Sequence, residues 1–159
     1  IRFAGIEQAK PAPGVIDALS GAEAVILAPS NPFVSIGPIL AVAGVRDALE
    51  QTKAVRVAIS PIIAGQVVKG PAAKMMTTLG YEVSALGVAK IYDGLVDLFV
   101  LDEQDRALAP RVEALGMRVL VTDTMMTSME RKAELARDVV AAARSARGAA
   151  SRCASRGTG

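Results

Sequence analysis

The chain has 159 residues, of which 52% are hydrophobic and only 3% aromatic, and its formal net charge is +2. These values predict one globular domain with a core of Ala, Val, Ile and Leu, and they give no indication of a nucleic-acid partner, because basic residues interleaved with aromatic ones are missing. Histidine is absent and Cys153 is the only cysteine, which excludes Ser-His and Cys-His catalytic pairs and a His/Cys zinc site within this chain.

The predicted elements alternate between strands and helices. Apolar, β-branched runs predict strands over residues 24–28, 55–60, 97–102 and 117–122. Apolar periodicity and end signals predict helices over residues 15–19, 46–51, 71–79, 84–95 and 111–115. A Thr-x-x-Glu capping box at Thr127 predicts the start of a final long helix. This alternation indicates an α/β fold with a doubly wound, Rossmann-like parallel sheet.

Residues 1–146 are expected to form the folded part, and residues 147–159 a disordered tail, because the tail lacks an apolar period. The chain begins with Ile1 rather than Met, which indicates a piece of a longer protein. A single thiol and no visible signal peptide favour a cytoplasmic location. No membrane span is expected in the uncharged run from Ala24 to Val45, because prolines and polar residues interrupt it.

The run from Ala28 to Leu40, directly after the first strand, is the most informative segment. Parallel sheets present ligands to the carboxyl ends of their strands, where Ser30, Asn31 and Ser35 would donate hydrogen bonds. Gly37 would let the backbone approach an anion at the start of the next helix. The alternative is a Pro-rich connecting loop, since Ser and Asn also cap helices.

A second candidate segment begins at Ser60, where the second strand ends. Gly65 and Gly70 have the spacing of the outer glycines of a P-loop. Pro71 occupies the position where that motif requires lysine, so the segment is not a P-loop. Lys69 and Lys74 flank the start of the next helix and would bind a diphosphate as point charges. The alternative is a pair of solvated surface lysines.

Other polar and flexible residues are expected to be structural. Three aspartates beside strands are expected to act as turn or cap residues: Asp97, Asp102 and Asp123. Five methionines are expected to fill the core: Met75, Met76, Met125, Met126 and Met129. Lys132 is expected on the exposed face of the last helix, with no part in binding.

Together these motifs resemble the 2-phospho-L-lactate transferase family, one branch of which uses a phosphoenolpyruvyl donor. The resemblance covers residues from Ala24 to about Ala143 and corresponds to the C-terminal half of the family. It rests on segments 28–32, 35–39, 60–63, 69–72, 80–84, 87–89 and 123–126. In the second segment Ala64 stands where the family more usually has Gly.

The resemblance implies transfer of a phospholactyl or phosphoenolpyruvyl group from a guanosine diphosphate-activated donor to a ribityl deazaflavin precursor, with release of GMP. It implies that the acceptor or phosphate is bound by Ser30, Asn31, Ser35 and Gly37. It implies that the nucleotide is bound by Ser60, Lys69, Gly70 and Lys74. Mg²⁺ would be held by the N-terminal half, so this chain alone is expected to be inactive, and a homodimer is a candidate assembly.

The alternative is a non-catalytic, nucleotide-sugar-binding regulatory protein of related fold. Such a protein would bind a nucleotide diphosphate at the same strand ends. Metal-dependent release of GMP distinguishes the two functions, because only the transferase breaks the diphosphate.

Overall fold

The computed structural model describes residues 1–67 and 70–156, with side chains described for 1–66 and 70–148. Its main sheet has parallel strands β1 (Ala24–Leu27), β2 (Val55–Ile59), β5 (Leu98–Asp102) and β6 (Arg118–Thr122), in the order β1-β2-β5-β6. A short antiparallel hairpin, β3 (Ile62–Ile63) with β4 (Gln66–Val67), follows β2. All four parallel strands therefore end at one edge of the sheet.

Helices connect the strands. The α-helices are α1 (Val15–Gly21), α2 (Gly37–Ala41), α3 (Val45–Gln51), α4 (Ala72–Thr78), α5 (Ala85–Ile91), α6 (Ala109–Glu113) and α7 (Met129–Arg156). A π-helical turn, Pro32–Ile36, precedes α2, and 3₁₀ turns occupy Ile6–Gln8 and Glu103–Leu108. In the described residues no single helix has the length and apolar composition to cross a membrane. That length and composition are met only by a pair of helical segments taken together, Pro32–Ala41 and Val45–Gln51, and the pair is bent by 89°.

The main sheet buries apolar side chains on both faces. The core on one face includes Leu49, Met76, Leu86, Phe99 and Val112, which bring α3 to α6 against the sheet. The core on the other face includes Val57, Val100, Leu135, Val139 and Ala143, which bring α7 against it. A parallel sheet between two layers of helices confirms the expected α/β class.

Several element boundaries differ from those expected. The helix predicted over residues 84–95 ends at Ile91, because Gly94 turns the chain with a positive φ of 71°. The N-cap of α7 is Ser128 rather than Thr127, since the Ser128 hydroxyl accepts a hydrogen bond from the Arg131 amide at 3.2 Å.

The long helix also continues beyond the expected end at residue 146. It reaches Arg156, whereas the sequence predicts a disordered tail from residue 147 onward. Ala and Arg have high helix propensity and maintain the helix without an apolar face. Residues 157–159 lie outside the described residues.

Close packing of α5 depends on a glycine. A Cβ at Gly87 would overlap the Glu82 carbonyl oxygen and come within 2.8 Å of the Met76 methyl group. The Glu82 carbonyl accepts a hydrogen bond from the Ser84 amide, and Met76 is fully buried, so neither neighbour gives way easily. Gly21, at the end of α1, has no atom within 4 Å of the corresponding position.

We predict that Gly87→Ala lowers the free energy of unfolding by about 2–3 kcal/mol, because overpacking displaces α5. Gly21→Ala is the matched control and is expected to be neutral or to stabilise by about 0.5 kcal/mol, through lower entropy of the unfolded chain. Urea unfolding of both variants measures the difference. Equal stability of the two variants would contradict the close approach.

Candidate functional site

A cavity of about 850 Å³ lies where the parallel strands end. Its walls come from the segments after β1, after β2 and after β6, and from the start of α7. The lining residues that carry polar side chains are Ser30, Asn31, Ser35, Ser60, Thr124, Thr127 and Lys132. Open α/β sheets bind ligands at this edge, which makes the cavity the candidate site.

The first wall contains three of the predicted residues. The Asn31 side-chain oxygen accepts hydrogen bonds from the backbone amides of Phe33 at 2.8 Å and Val34 at 3.2 Å, so it caps the π-helical turn. Its amide nitrogen donates to the Met75 sulfur at 3.6 Å. The hydroxyls of Ser30 and Ser35 line the cavity and make no hydrogen bond within the part of the chain that the structure describes. They are therefore free to bind a ligand.

Gly37 does not line this cavity. It begins α2 with helical angles, and a Cβ there would lie 3.1 Å from the Pro32 carbonyl oxygen and 3.4 Å from the Phe3 ring. The glycine thus permits packing of Phe3 against the helix. The expected backbone approach to an anion at Gly37 stays a prediction, one that the cavity lining does not support.

The second wall contains Ser60 and Gly70. Ser60 is 2% exposed, and its hydroxyl donates to the Ile62 carbonyl at 2.8 Å and accepts from the Ile62 amide at 3.1 Å. Both hydrogen bonds of that hydroxyl stabilise the turn into the β3–β4 hairpin. Lys74 is exposed on α4 and does not line the cavity. Lys69 lies outside the described residues.

The third wall, residues 124–127 with Lys132, was not among the sequence-predicted site residues. Lys132 is exposed, as expected, but it borders the cavity instead of standing apart from it. Met125, Met126 and Met129 are 37%, 45% and 72% exposed, so the expectation that they fill the core is wrong. Met76 alone of the five is fully buried. The Asp123-Thr124 pair at a strand end was the sequence signal for this wall.

A buried carboxylate fixes the third wall. Asp102, at the end of β5, is 2% exposed, and one of its oxygens accepts hydrogen bonds from the amide and the hydroxyl of Thr124, both at 2.9 Å. The other oxygen accepts from the Gln104 amide. Burial opposes the charge, but the hydrogen bonds from Thr124 and Gln104 outweigh it and hold the pKa of Asp102 below its ordinary value.

A second carboxylate fixes the hairpin beside the second wall. Asp105 is 6% exposed and accepts a hydrogen bond from the Ala64 amide at 3.0 Å. Ala64 has a φ of 49°, a left-handed conformation that favours glycine. Burial, together with the nearby Asp102 charge, raises the pKa of Asp105 despite the hydrogen bond. For Asp102, the hydrogen bonds from Gln104 and Thr124 confirm the expected role as a structural cap.

No cluster of three His, Cys, Asp or Glu residues that would hold a metal ion occurs among residues 1–67 and 70–156. Asp97 forms an ion pair with Arg56 at 2.6 Å, and Asp123 forms one with Arg131 at 3.1 Å. Asp97 precedes β5, at the opposite edge of the sheet from the cavity, and both carboxylates are paired with arginines, so neither fits a metal site by itself.

The sequence model of the family described as "2-phospho-L-lactate transferase CofD" matches residues 2–142. The 2-phospho-L-lactate transferase of Methanosarcina barkeri is 45% identical over 140 residues, which are 88% of this chain and 45% of that protein. The phosphoenolpyruvate transferase of Streptomyces griseus is 42% identical over 137 residues, which are 86% of this chain and 43% of that protein. The chain thus spans less than half the length of these relatives.

Among solved structures, a protein from Bacillus halodurans is similar in part. Its TM-score is 0.48 and its sequence identity 19%, over 76% of this chain and 42% of that chain. A second structure, titled as a member of the upf0052 family from the same organism, has a TM-score of 0.47 and 16% identity, over 75% of this chain and 42% of that chain.

We predict that Asp102→Asn lowers the free energy of unfolding at pH 7 by about 2 kcal/mol, because an amide cannot accept all the bonds that the carboxylate accepts. The folded-state pKa is lowered, so the stabilisation is complete above the unfolded pKa near 3.8 and is lost as the pH falls below it. Urea unfolding at pH 7 and pH 3 is expected to show a smaller acid effect in the variant.

Asp105→Asn is the matched control with the opposite sign. Because the folded-state pKa of Asp105 is raised, its ionisation costs stability as the pH rises above 3.8, and asparagine still accepts the Ala64 hydrogen bond. This variant is expected to be as stable as the parent at pH 7, or more stable. A loss as large as that of Asp102→Asn would contradict this account.

Proposed function

The chain belongs to the 2-phospho-L-lactate transferase CofD family, and from this we propose that its cavity binds the reacting groups of a phosphotransfer. The donor is a guanosine diphosphate derivative that carries a phospholactyl or phosphoenolpyruvyl group. The acceptor is a ribityl deazaflavin precursor, and the product is an intermediate of deazaflavin coenzyme biosynthesis. The names of the relatives support a transferase of this type.

One observation carries the proposal: the cavity lining combines two kinds of side chain. Three hydroxyls without a partner in the described residues suit phosphoryl oxygens, namely those of Ser30, Ser35 and Thr127. Four apolar side chains suit a flat aromatic ring, namely those of Val34, Ile63, Met125 and Met126. A cleft with both kinds of lining fits a ribityl deazaflavin approaching a diphosphate.

In the proposed reaction, the terminal ribityl hydroxyl attacks the β-phosphorus of the donor. A new oxygen–phosphorus bond forms, the bond from that phosphorus to the bridging oxygen breaks, and GMP leaves with the bonding electron pair. The hydroxyl proton is released. Such transfers depend on positioning and on stabilising charge rather than on a covalent intermediate, which suits a chain without histidine.

The nucleotide is proposed to enter beside Gly70, which lines the cavity with a φ of +88°. Lys69 is proposed to neutralise its phosphates. Lys74 is exposed outside the cavity, so the alternative of a solvated lysine is favoured for it. Ser60 is proposed to shape this wall through its hydrogen bonds with Ile62 instead of touching the nucleotide.

Several expectations remain proposals for the longer protein. Mg²⁺ supplies charge stabilisation when bound, and no grouping of described residues fits it, so no step above depends on it. A homodimer and a cytoplasmic location also remain predictions, as does the inactivity of residues 1–159 alone.

The test of the function is release of GMP by a full-length protein that contains this sequence. The protein would be incubated with Mg²⁺, a deazaflavin precursor and either donor, and the phosphodiester product measured by mass spectrometry. Equal amounts of GMP and product are expected. Tight nucleotide binding without GMP release would instead support the nucleotide-sugar-binding regulatory protein. Residues 1–159 alone are the comparison, with no release expected.

We predict that Asn31→Ser in the full-length protein lowers turnover by about tenfold while nucleotide affinity changes little. Serine keeps a capping oxygen for the π-helical turn but lacks the amide hydrogens that would reach the transferred group, an interaction strongest in the transition state. Steady-state kinetics and calorimetry of GDP binding measure the two effects.

Asn31→Ala removes both the capping oxygen and the amide hydrogens. Its comparison with Asn31→Ser therefore separates the effect of the cap from that of the ligand contact. It is expected to lower turnover as Asn31→Ser does and also to lose about 1 kcal/mol of stability. Wild-type turnover in Asn31→Ser would mean that Asn31 is a cap alone.

A further inference from the structure

We propose that Lys132 binds the diphosphate of the donor in this cavity, an inference that rests on the proposed function and adds a residue to it. Lys132 lies in the first turns of α7 and borders the cavity near Thr127. The proposed ligand is a phosphoryl group, and the lysine ammonium is its counter-charge.

The charges around the start of α7 favour this role. Arg131, the neighbouring residue, is already paired with Asp123 at 3.1 Å and with Glu134 at 2.6 Å. The Lys132 side chain has no ion pair or hydrogen bond within the part of the chain that the structure describes. Asp123 and Glu134 therefore pair with the arginine and leave the lysine charge available to a ligand.

The composition of the cavity wall favours an anion. Lys132 is the one charged side chain among its lining residues, as far as residues 1–66 and 70–148 are concerned, and no carboxylate lines the wall. The remaining polar groups are hydroxyls and one amide, which stabilise phosphoryl oxygens without repelling them. A cation placed among neutral donors attracts a negatively charged group most strongly where water is partly excluded.

The position of the lysine is fixed by the packing of α7. Leu135, one turn further along the helix, is 4% exposed and packs with Val139 against the sheet. Positions three residues apart share a helix face, so Lys132 emerges beside the buried stripe and over the strand ends. The Asp102–Thr124 hydrogen bonds hold the preceding loop. An ammonium with three donors then follows the phosphoryl group as its geometry changes.

The test compares Lys132→Met, Lys132→Arg and Lys90→Met in the full-length protein. Lys90 is an exposed lysine at the end of α5 that does not line the cavity, so its substitution matches the loss of one charge. Calorimetry would measure binding of GDP, GMP, inorganic phosphate and guanosine. Thermal unfolding of each variant checks that it is folded.

Lys132→Met is expected to weaken GDP binding by about tenfold or more, the effect of losing a charge-assisted hydrogen bond. Guanosine affinity is expected to stay unchanged, and Lys132→Arg is expected to retain most of the GDP affinity. Lys90→Met is expected to bind GDP like the parent. A smaller loss for GMP than for GDP would assign Lys132 to the diphosphate rather than to a phosphate group in general.

Other outcomes overturn the inference. Unchanged GDP binding in Lys132→Met, an equal loss of guanosine binding, or an equal loss in Lys90→Met would each do so, and so would a parent protein that binds no GDP. An equal loss of GDP, GMP and inorganic phosphate would limit the site to a general phosphate contact and overturn the assignment to the diphosphate. GDP binding that depends on Lys132 without GMP release would contradict the proposed function while supporting the inference.

Discussion

The buried carboxylate of Asp102 is the contact on which the candidate site depends. It joins the end of β5 to the loop after β6, because one of its oxygens accepts hydrogen bonds from both the amide and the hydroxyl of Thr124. Asp105 does the same for the hairpin on the other side through the Ala64 amide. A buried charge is costly unless hydrogen bonds compensate it. Asp102 is fully compensated and Asp105 less so, which explains why their pKa values move in opposite directions.

The sheet makes this arrangement possible. Since all its strands run parallel, their polar carboxyl ends are collected at one edge, while the strand interiors are buried on both faces. The core is made mostly of small and aliphatic side chains, and Gly87 allows α5 to lie close to the preceding loop. Loops at the strand ends are therefore held by rigid elements and by the two aspartates, rather than by a core of their own.

The α/β class and the first wall of the cavity were predictable, because strands have local signals and a parallel sheet fixes where their ends meet. Ser30 and Ser35 were predicted in this way, and both line the cavity. The position of Gly37 outside the cavity was not predictable, because sequence does not distinguish a glycine that would admit an anion from one that admits the Phe3 ring. The position of Lys132 beside the cavity and the exposure of three methionines were missed for a different reason. An exposed helix face looks the same in sequence whether it meets solvent or a cavity, and only the tertiary position of α7 separates the two.

The charge in the cavity also limits what these residues do by themselves. A diphosphate carries more negative charge than the single Lys132 ammonium neutralises, and hydroxyls stabilise charge without cancelling it. The nearby carboxylates are committed to Arg131, to Thr124 and to the hairpin, and within the described residues they form no metal site. Further positive charge must therefore come from groups other than these lining residues. The described lining residues supply shape, hydroxyl donors and one cation, and the proposed phosphotransfer needs further positive charge at the same strand ends, to which Lys69 is proposed to contribute.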